Sequence, residues 1–194
     1  MVMEVDKVKE NIIEASQELF RRYGYHKTSV NEIAKKAKIA KATIYKYFDS
    51  KEVLLHYILM QELKQSVDEM IDSEYSVNDL EAYLSKLIFK TCRLTYTICN
   101  EFIGWDFIRE SANSQGFLKL LSDDLEKLLI RSFQETMPVK KNESHAAGIR
   151  FLIKASKSIV FSYAFTSVSD ADVRKNFVNF QKEILPYLVK AAIR

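Results

Sequence analysis

Between residues 41 and 48 the chain reads KATIYKYF, and Lys41, Thr43, Tyr45, Lys46 and Tyr47 are the side chains there with chemistry to offer. That chemistry is recognition rather than turnover. Ammonium groups neutralise phosphates, a threonine methyl packs on a thymine methyl while its hydroxyl reaches a base edge, and tyrosine hydroxyls reach backbone oxygens. From residue 26 to 51 the cations Lys27, Lys35, Lys36, Lys38, Lys41, Lys46 and Lys51 stand against Glu32 and Asp49 only. The excess of positive charge is local, since the whole chain carries a mild +3.

Side chains for catalysis are not gathered in the same way. His26, His56 and His145 are far apart and outside any HExxH arrangement, and there is neither a glycine-rich phosphate loop nor an elbow-type serine motif. No catalytic residue, metal site or cofactor is assigned. An all-α enzyme using residues distant in sequence, and a helical interaction protein that does not bind an operator, are the competing readings.

Short elements must position the 41–48 segment. Ser29 and Glu32 fit a Ser-x-x-Glu capping box, so a helix is predicted from about Val30 with Ile33, Ala34 and Ala37 on its apolar face. A turn at Lys38 to Ala40 follows. Lys41 to Phe48 then makes a second helix of roughly 12 Å, with Ile44 and Phe48, four apart, turned inward. The cations, hydroxyls and phenols fall largely on the free side, and a basic amphipathic helix of this size is what the major groove of B-DNA admits. In a generic helix Tyr45, Tyr47 and Phe48 would simply be core aromatics among solvated lysines.

Residue order favours the first reading. The run IAKKAKIAKATIYKYFDSKEVL, and within it the Thr-x-Tyr-x-Tyr-Phe-x-Ser-Lys-Glu string, resembles the helix-turn-helix segment of TetR-family transcriptional regulators. The resemblance covers about the first third of the chain. Two positions depart from the family pattern. Lys38 stands where glycine is usual and Ala40 where serine is frequent, so the turn must form without glycine's easy positive φ and the second helix has a poorer cap.

The resemblance implies an all-α fold. Residues 1–50 would form a three-helix, helix-turn-helix DNA-binding domain, and residues 51–194 a larger helical ligand-binding and dimerisation domain. Thr28, Ser29, Lys41, Ala42, Thr43, Tyr45, Lys46, Tyr47 and Lys51 are the residues expected at the DNA. Lys51 lies in the first turn of a helix, where a cation works against the dipole, and a phosphate contact would account for it. The implied partners are a double-stranded operator, a small-molecule effector and a second copy of the chain held through the last two helices. Repression is the family's usual mode.

Composition agrees with long helices, because four glycines and two prolines are few for 194 residues. A content of 47% hydrophobic and 28% charged residues suits a soluble globular protein. The start MVMEVD is unlike a signal peptide, and the longest apolar run, Ser158 to Val168, is too short to span a bilayer, so no membrane association and a cytoplasmic location are expected.

Taken in order, residues 1–6 are expected to be a frayed arm, and Val8, Ile12, Ala15, Leu19 and Tyr23 mark a helix from Lys7 that Gly24 caps. A long helix capped by Asp49 or Ser50 runs to about Asp72. Asn78 with Glu81 then starts one reaching Cys99, and shorter apolar patterns fill Glu101 to Ser111 and Ser114 to Met137, where Pro138 stops the chain of turns. Ser144 to Val168 and Asp170 to Ala192 close the sequence, the latter interrupted by Pro186. Cys92 and Cys99 are about 10 Å apart along one helix and read as reduced core residues. Tyr83, Phe89, Cys92, Tyr96, Phe102 and Trp105 are the candidate lining of an effector pocket, although aromatic stripes at this spacing are commonly core.

Overall fold

A computed structural model describes residues 2–74, 79–104, 115–136 and 143–193, and all regular structure among them is helical. The all-α expectation holds. The helices are α1 (Val2–Tyr23), α2 (Val30–Lys36), α3 (Lys41–Tyr47), α4 (Lys51–Glu74), α5 (Leu80–Phe102), α6 (Gln115–Thr136), α7 (Glu143–Thr166), α8 (Asp170–Asn179) and α9 (Leu185–Ala192). By compactness the chain divides into one unit of Met1–Glu62 with Ile98–Phe117 and a second of Leu63–Thr97 with Leu118–Arg194. Both α4 and α5 contribute residues to each.

Most boundaries fall where the sequence signals stand, and the exceptions have local causes. The backbone is helical from Val2, so residues 2–6 of the expected frayed arm are instead the first turn of α1. Gly24 ends that helix at φ +81°, its N–H donating to Phe20 O at 2.8 Å. Ser50 Oγ accepts from Val53 N–H at the start of α4. The cap of α5 is Asp79, whose carboxylate accepts from Ala82 N–H at 3.0 Å, one residue beyond the expected Asn78, which lies outside the described residues. So do the segment between Gly104 and Gln115, with the predicted helix to Ser111, and Pro138.

The first unit buries Ile12, Ala15, Phe20, Ile33, Ala34, Ile44, Phe48, Leu54, Leu55, Ile58 and Leu59. As the 3.6-residue pattern requires, α1 supplies one wall of this core, and α2 packs between it and α3.

In the second unit α7 and α9 pack closely. Gly148 is the reason, since a Cβ there would overlap the Ala192 carbonyl. Leu152, Ile153, Phe180, Leu185 and Val189 fill the core beside that contact. The predicted interruption by Pro186 takes a specific form: Phe180–Ile184 is a π-helical turn, and Leu185 N–H reaches Phe180 O, five residues back. Proline has no N–H to donate and its ring crowds the preceding turn, so the wider turn ahead of it relieves both problems.

Gly148→Ala is expected to lower unfolding free energy by about 1–3 kcal/mol, the usual cost of inserting a methyl into a packed contact. Urea titration followed by circular dichroism measures it.

Candidate nucleic-acid interface

The capping box read from the sequence is fully formed. Ser29 Oγ accepts from Glu32 N–H at 3.2 Å, and Glu32 Oε2 accepts from both the Ser29 N–H and its hydroxyl at 2.7 Å. These bonds, the backbone one first, hold the Glu32 carboxyl below the usual glutamate range. The turn after α2 is a Schellman motif: Ile39 N–H donates to Ala34 O at 3.0 Å and Lys38 N–H to Lys35 O at 3.2 Å. Lys38 itself sits at φ +56°, so a lysine occupies the left-handed position that glycine takes most easily. Ala40 gives α3 no side-chain cap, as its identity dictates.

α3 is seven residues long and is anchored by Ile44 and, just past its end, Phe48, which are 2% and 3% exposed. The remaining side chains distribute around that anchor. Lys41, Ala42, Tyr45 and Lys46 are exposed, while Thr43 and Tyr47 are half-buried. One short helix thus presents two cations, a phenol and a methyl to solvent, with a second phenol and a hydroxyl at the margin. Ser29 is exposed at the start of α2.

Thr28 and Lys51 are placed differently. Thr28 is 2% exposed, and its hydroxyl donates to Gly24 O at 2.9 Å, which ties the α1–α2 loop to the end of α1. Lys51 is half-buried, and its ammonium donates to Tyr25 O and Thr28 O, both at 2.9 Å, while lying 4.1 Å from the centre of the Tyr25 ring. Burial lowers its pKa, against the opposing pull of Glu52 and Glu32.

Tyr25 and Glu52 are participants that the sequence reading passed over. Tyr25 OH donates to Glu52 Oε1 at 2.6 Å, its ring meets Phe20 edge-on at 5.5 Å, and its N–H donates to Phe102 O at 3.1 Å. Burial first, then Glu52, pushes the phenol well above its ordinary range. The same hydrogen bond is the main reason the Glu52 carboxyl titrates low. An aromatic directly after a capping glycine was the available signal for Tyr25; nothing local marked Glu52 as its acceptor.

The proposed effector-lining residues are not all together. Phe102 is fully buried in the first unit, where its ring lies 4.9 Å from the Arg21 guanidinium. Tyr83, Phe89, Cys92 and Tyr96 are half-buried in the second unit, and Trp105 lies outside the described residues. Phe89 and Tyr96 both meet Phe177 of α8, at 6.2 and 5.5 Å between ring centres, and Tyr163 of α7 is the third ring around it at 5.8 Å. Phe177 and Tyr163 joined this group only through the fold. Burial pushes both the Cys92 and Cys99 thiols up to about 12.

A seven-residue helix anchored by apolar contacts and held behind a Schellman turn, with its cationic and phenolic side free, defines an all-α protein of the helix-turn-helix class. Residues 12–58 match the family model described as bacterial regulatory proteins, tetR family. It is 36% identical over 105 residues to the uncharacterised HTH-type transcriptional regulator YhgD of Bacillus subtilis, covering 51% of this chain and 54% of that protein. It is 31% identical over 85 residues to the biofilm operon icaADBC HTH-type negative transcriptional regulator IcaR of Staphylococcus epidermidis, covering 42% and 46%. The chain thus spans about half the length of these curated relatives. Among solved structures, RolR in complex with resorcinol superposes with a TM-score of 0.58 over 100% of this chain and 97% of that one, at 14% identity, a likeness of fold alone. These relatives are named as transcriptional regulators rather than enzymes. No helix of the described residues is long and apolar enough to cross a membrane.

The Tyr25–Glu52 bond gives a pH prediction. A carboxyl whose folded pKa is depressed adds stability above its unfolded value and loses it as pH falls through the folded value. Tyr25→Phe is therefore expected to be less stable than the parent at neutral pH, with the gap closing on acidification below the ordinary glutamate range. Thermal melts of both proteins from pH 7 to pH 3 measure that gap.

Proposed function

We propose that the protein is a ligand-responsive, sequence-specific DNA-binding transcriptional regulator, a repressor that a small molecule releases from a palindromic operator. The observation that carries the reading is the free face of α3, where Lys41, Ala42, Tyr45 and Lys46 are exposed on a helix anchored by Ile44. Lys41 and Lys46 take phosphates, while Ala42 and Thr43 meet base edges and methyl groups. Tyr45 and Tyr47 reach the sugar-phosphate backbone, and Ser29 at the start of α2 meets the flanking phosphates. Thr28 acts from beneath, by holding the loop. Residues 1–50 form the DNA-binding part, supported by the first turns of α4, and residues 51–194 the effector-binding and dimerisation part. The name of IcaR as a negative regulator supports repression, and the resorcinol bound to RolR supports a small-molecule effector. Tyr83, Phe89, Cys92 and Tyr96, now with Tyr163 and Phe177, are the side chains proposed to meet it. The site of action is the cytoplasm, and no cofactor or metal takes part.

A helix this short makes few contacts, so useful specificity calls for two copies on half-sites a helical turn or more apart. The proposed interface is formed by the last two long segments, α7 and α8–α9. On α7, Phe151, Ser158 and Phe165 recur every seven residues and so share a face, and all are exposed. Tyr187 on α9 is 74% exposed. Exposed aromatics on neighbouring helices suit burial against a second copy.

Selection of bound fragments from genomic DNA, followed by titration at several salt concentrations, tests the reading: a specific site must survive salt that removes non-specific binding. On the selected operator, Tyr47→Ala is expected to weaken binding about 10- to 100-fold. Lys41→Ala should weaken it on all sequences and reduce the slope of log affinity against log salt by about one. Unchanged affinity in both variants would overturn the assignment. Sedimentation equilibrium is expected to show a dimer that Phe165→Glu shifts to monomer.

A further inference from the structure

Resting on the DNA-binding reading above, we propose that Lys51 is a positioning residue. Its ammonium fastens the α1–α2 loop to the first turn of α4, and so sets where α2 and α3 stand, rather than reaching a phosphate.

The loop between Gly24 and Ser29 is what Lys51 grips. Two of the three ammonium N–H groups are engaged by Tyr25 O and Thr28 O at 2.9 Å each, and the cation also lies over the Tyr25 ring. Charge-assisted bonds to two carbonyls are among the stronger polar ties available, and a phosphate contact would have to compete with them. The same loop is also held by the Thr28 hydroxyl on Gly24 O and, from α4, by Glu52 on Tyr25 OH. Thr28 O belongs to the peptide that leads directly into Ser29, the residue that caps α2. A shift of that peptide therefore moves the N-terminus of α2, and with it the Schellman turn and α3. The arrangement also accounts for a cation in the first turn of a helix, where the dipole opposes it: the two carbonyls supply the negative partial charge that the helix end lacks.

The test uses the full chain with its selected operator and three variants, Lys51→Met, Lys51→Gln and Lys51→Arg. Each is measured for the salt slope of operator affinity and, without DNA, for amide hydrogen exchange. Lys51→Met and Lys51→Gln are expected to bind about ten-fold or more weakly at every salt concentration with the slope unchanged, and to exchange the Val30–Ala37 amides faster. Lys51→Arg, which still reaches both carbonyls, is expected to restore protection and most of the affinity. A slope flattened by about one with unaltered exchange would mean a phosphate contact and overturn the proposal, as would unaltered exchange and affinity in a folded Lys51→Met or Lys51→Gln protein. If the parent chain binds no operator, the DNA-binding reading fails, while the exchange arm still decides whether Lys51 holds the loop.

Discussion

The candidate interface depends on the one-sided burial of a helix too short to stand alone. Seven residues lie well below the length at which an isolated helix persists in water, so α3 exists because Ile44 and Phe48 are held in the core with Ile33, Ile12 and Phe20. Each such side chain contributes about 1.5–3 kcal/mol when fully buried. That anchoring also leaves the opposite face without a partner in the described chain. The features that make α3 fold and the features that make it available are consequences of the same packing.

Polar ties then fix the angle at which the helix is offered. The capping box sets the start of α2, the Schellman motif sets its end, and the loop before α2 is gripped by Thr28 and Lys51. Several of these ties use residues that would otherwise be counted as surface charge. Lys38 is the costly member, because a left-handed lysine is strained by roughly 1 kcal/mol relative to glycine. The buried apolar anchors offset that strain.

The second unit is organised around a close helix contact and a ring cluster. Gly148 lets α7 approach α9, and the π turn ahead of Pro186 keeps α8 and α9 continuous as a packing surface. Phe177 sits among Phe89, Tyr96 and Tyr163, so side chains from three helices meet at one point.

Local signals determined much of this protein. Ser29 and Glu32 specify a capping box, Gly24 a helix end, Pro186 an interruption, and the spacing of Ile33, Ile44 and Phe48 a buried side, because each acts within a few residues of itself. The α2–turn–α3 arrangement and the identity of its exposed residues follow from those signals. Partners distant in the chain were decided only by the tertiary structure. Tyr25 meets Glu52 and Phe102, Lys51 meets the Tyr25 and Thr28 carbonyls, and Phe177 meets Phe89. No periodicity or spacing encodes which carbonyl an ammonium will find. That choice depends on where whole helices come to rest, and it gives a lysine expected at a DNA phosphate two loop carbonyls as its partners.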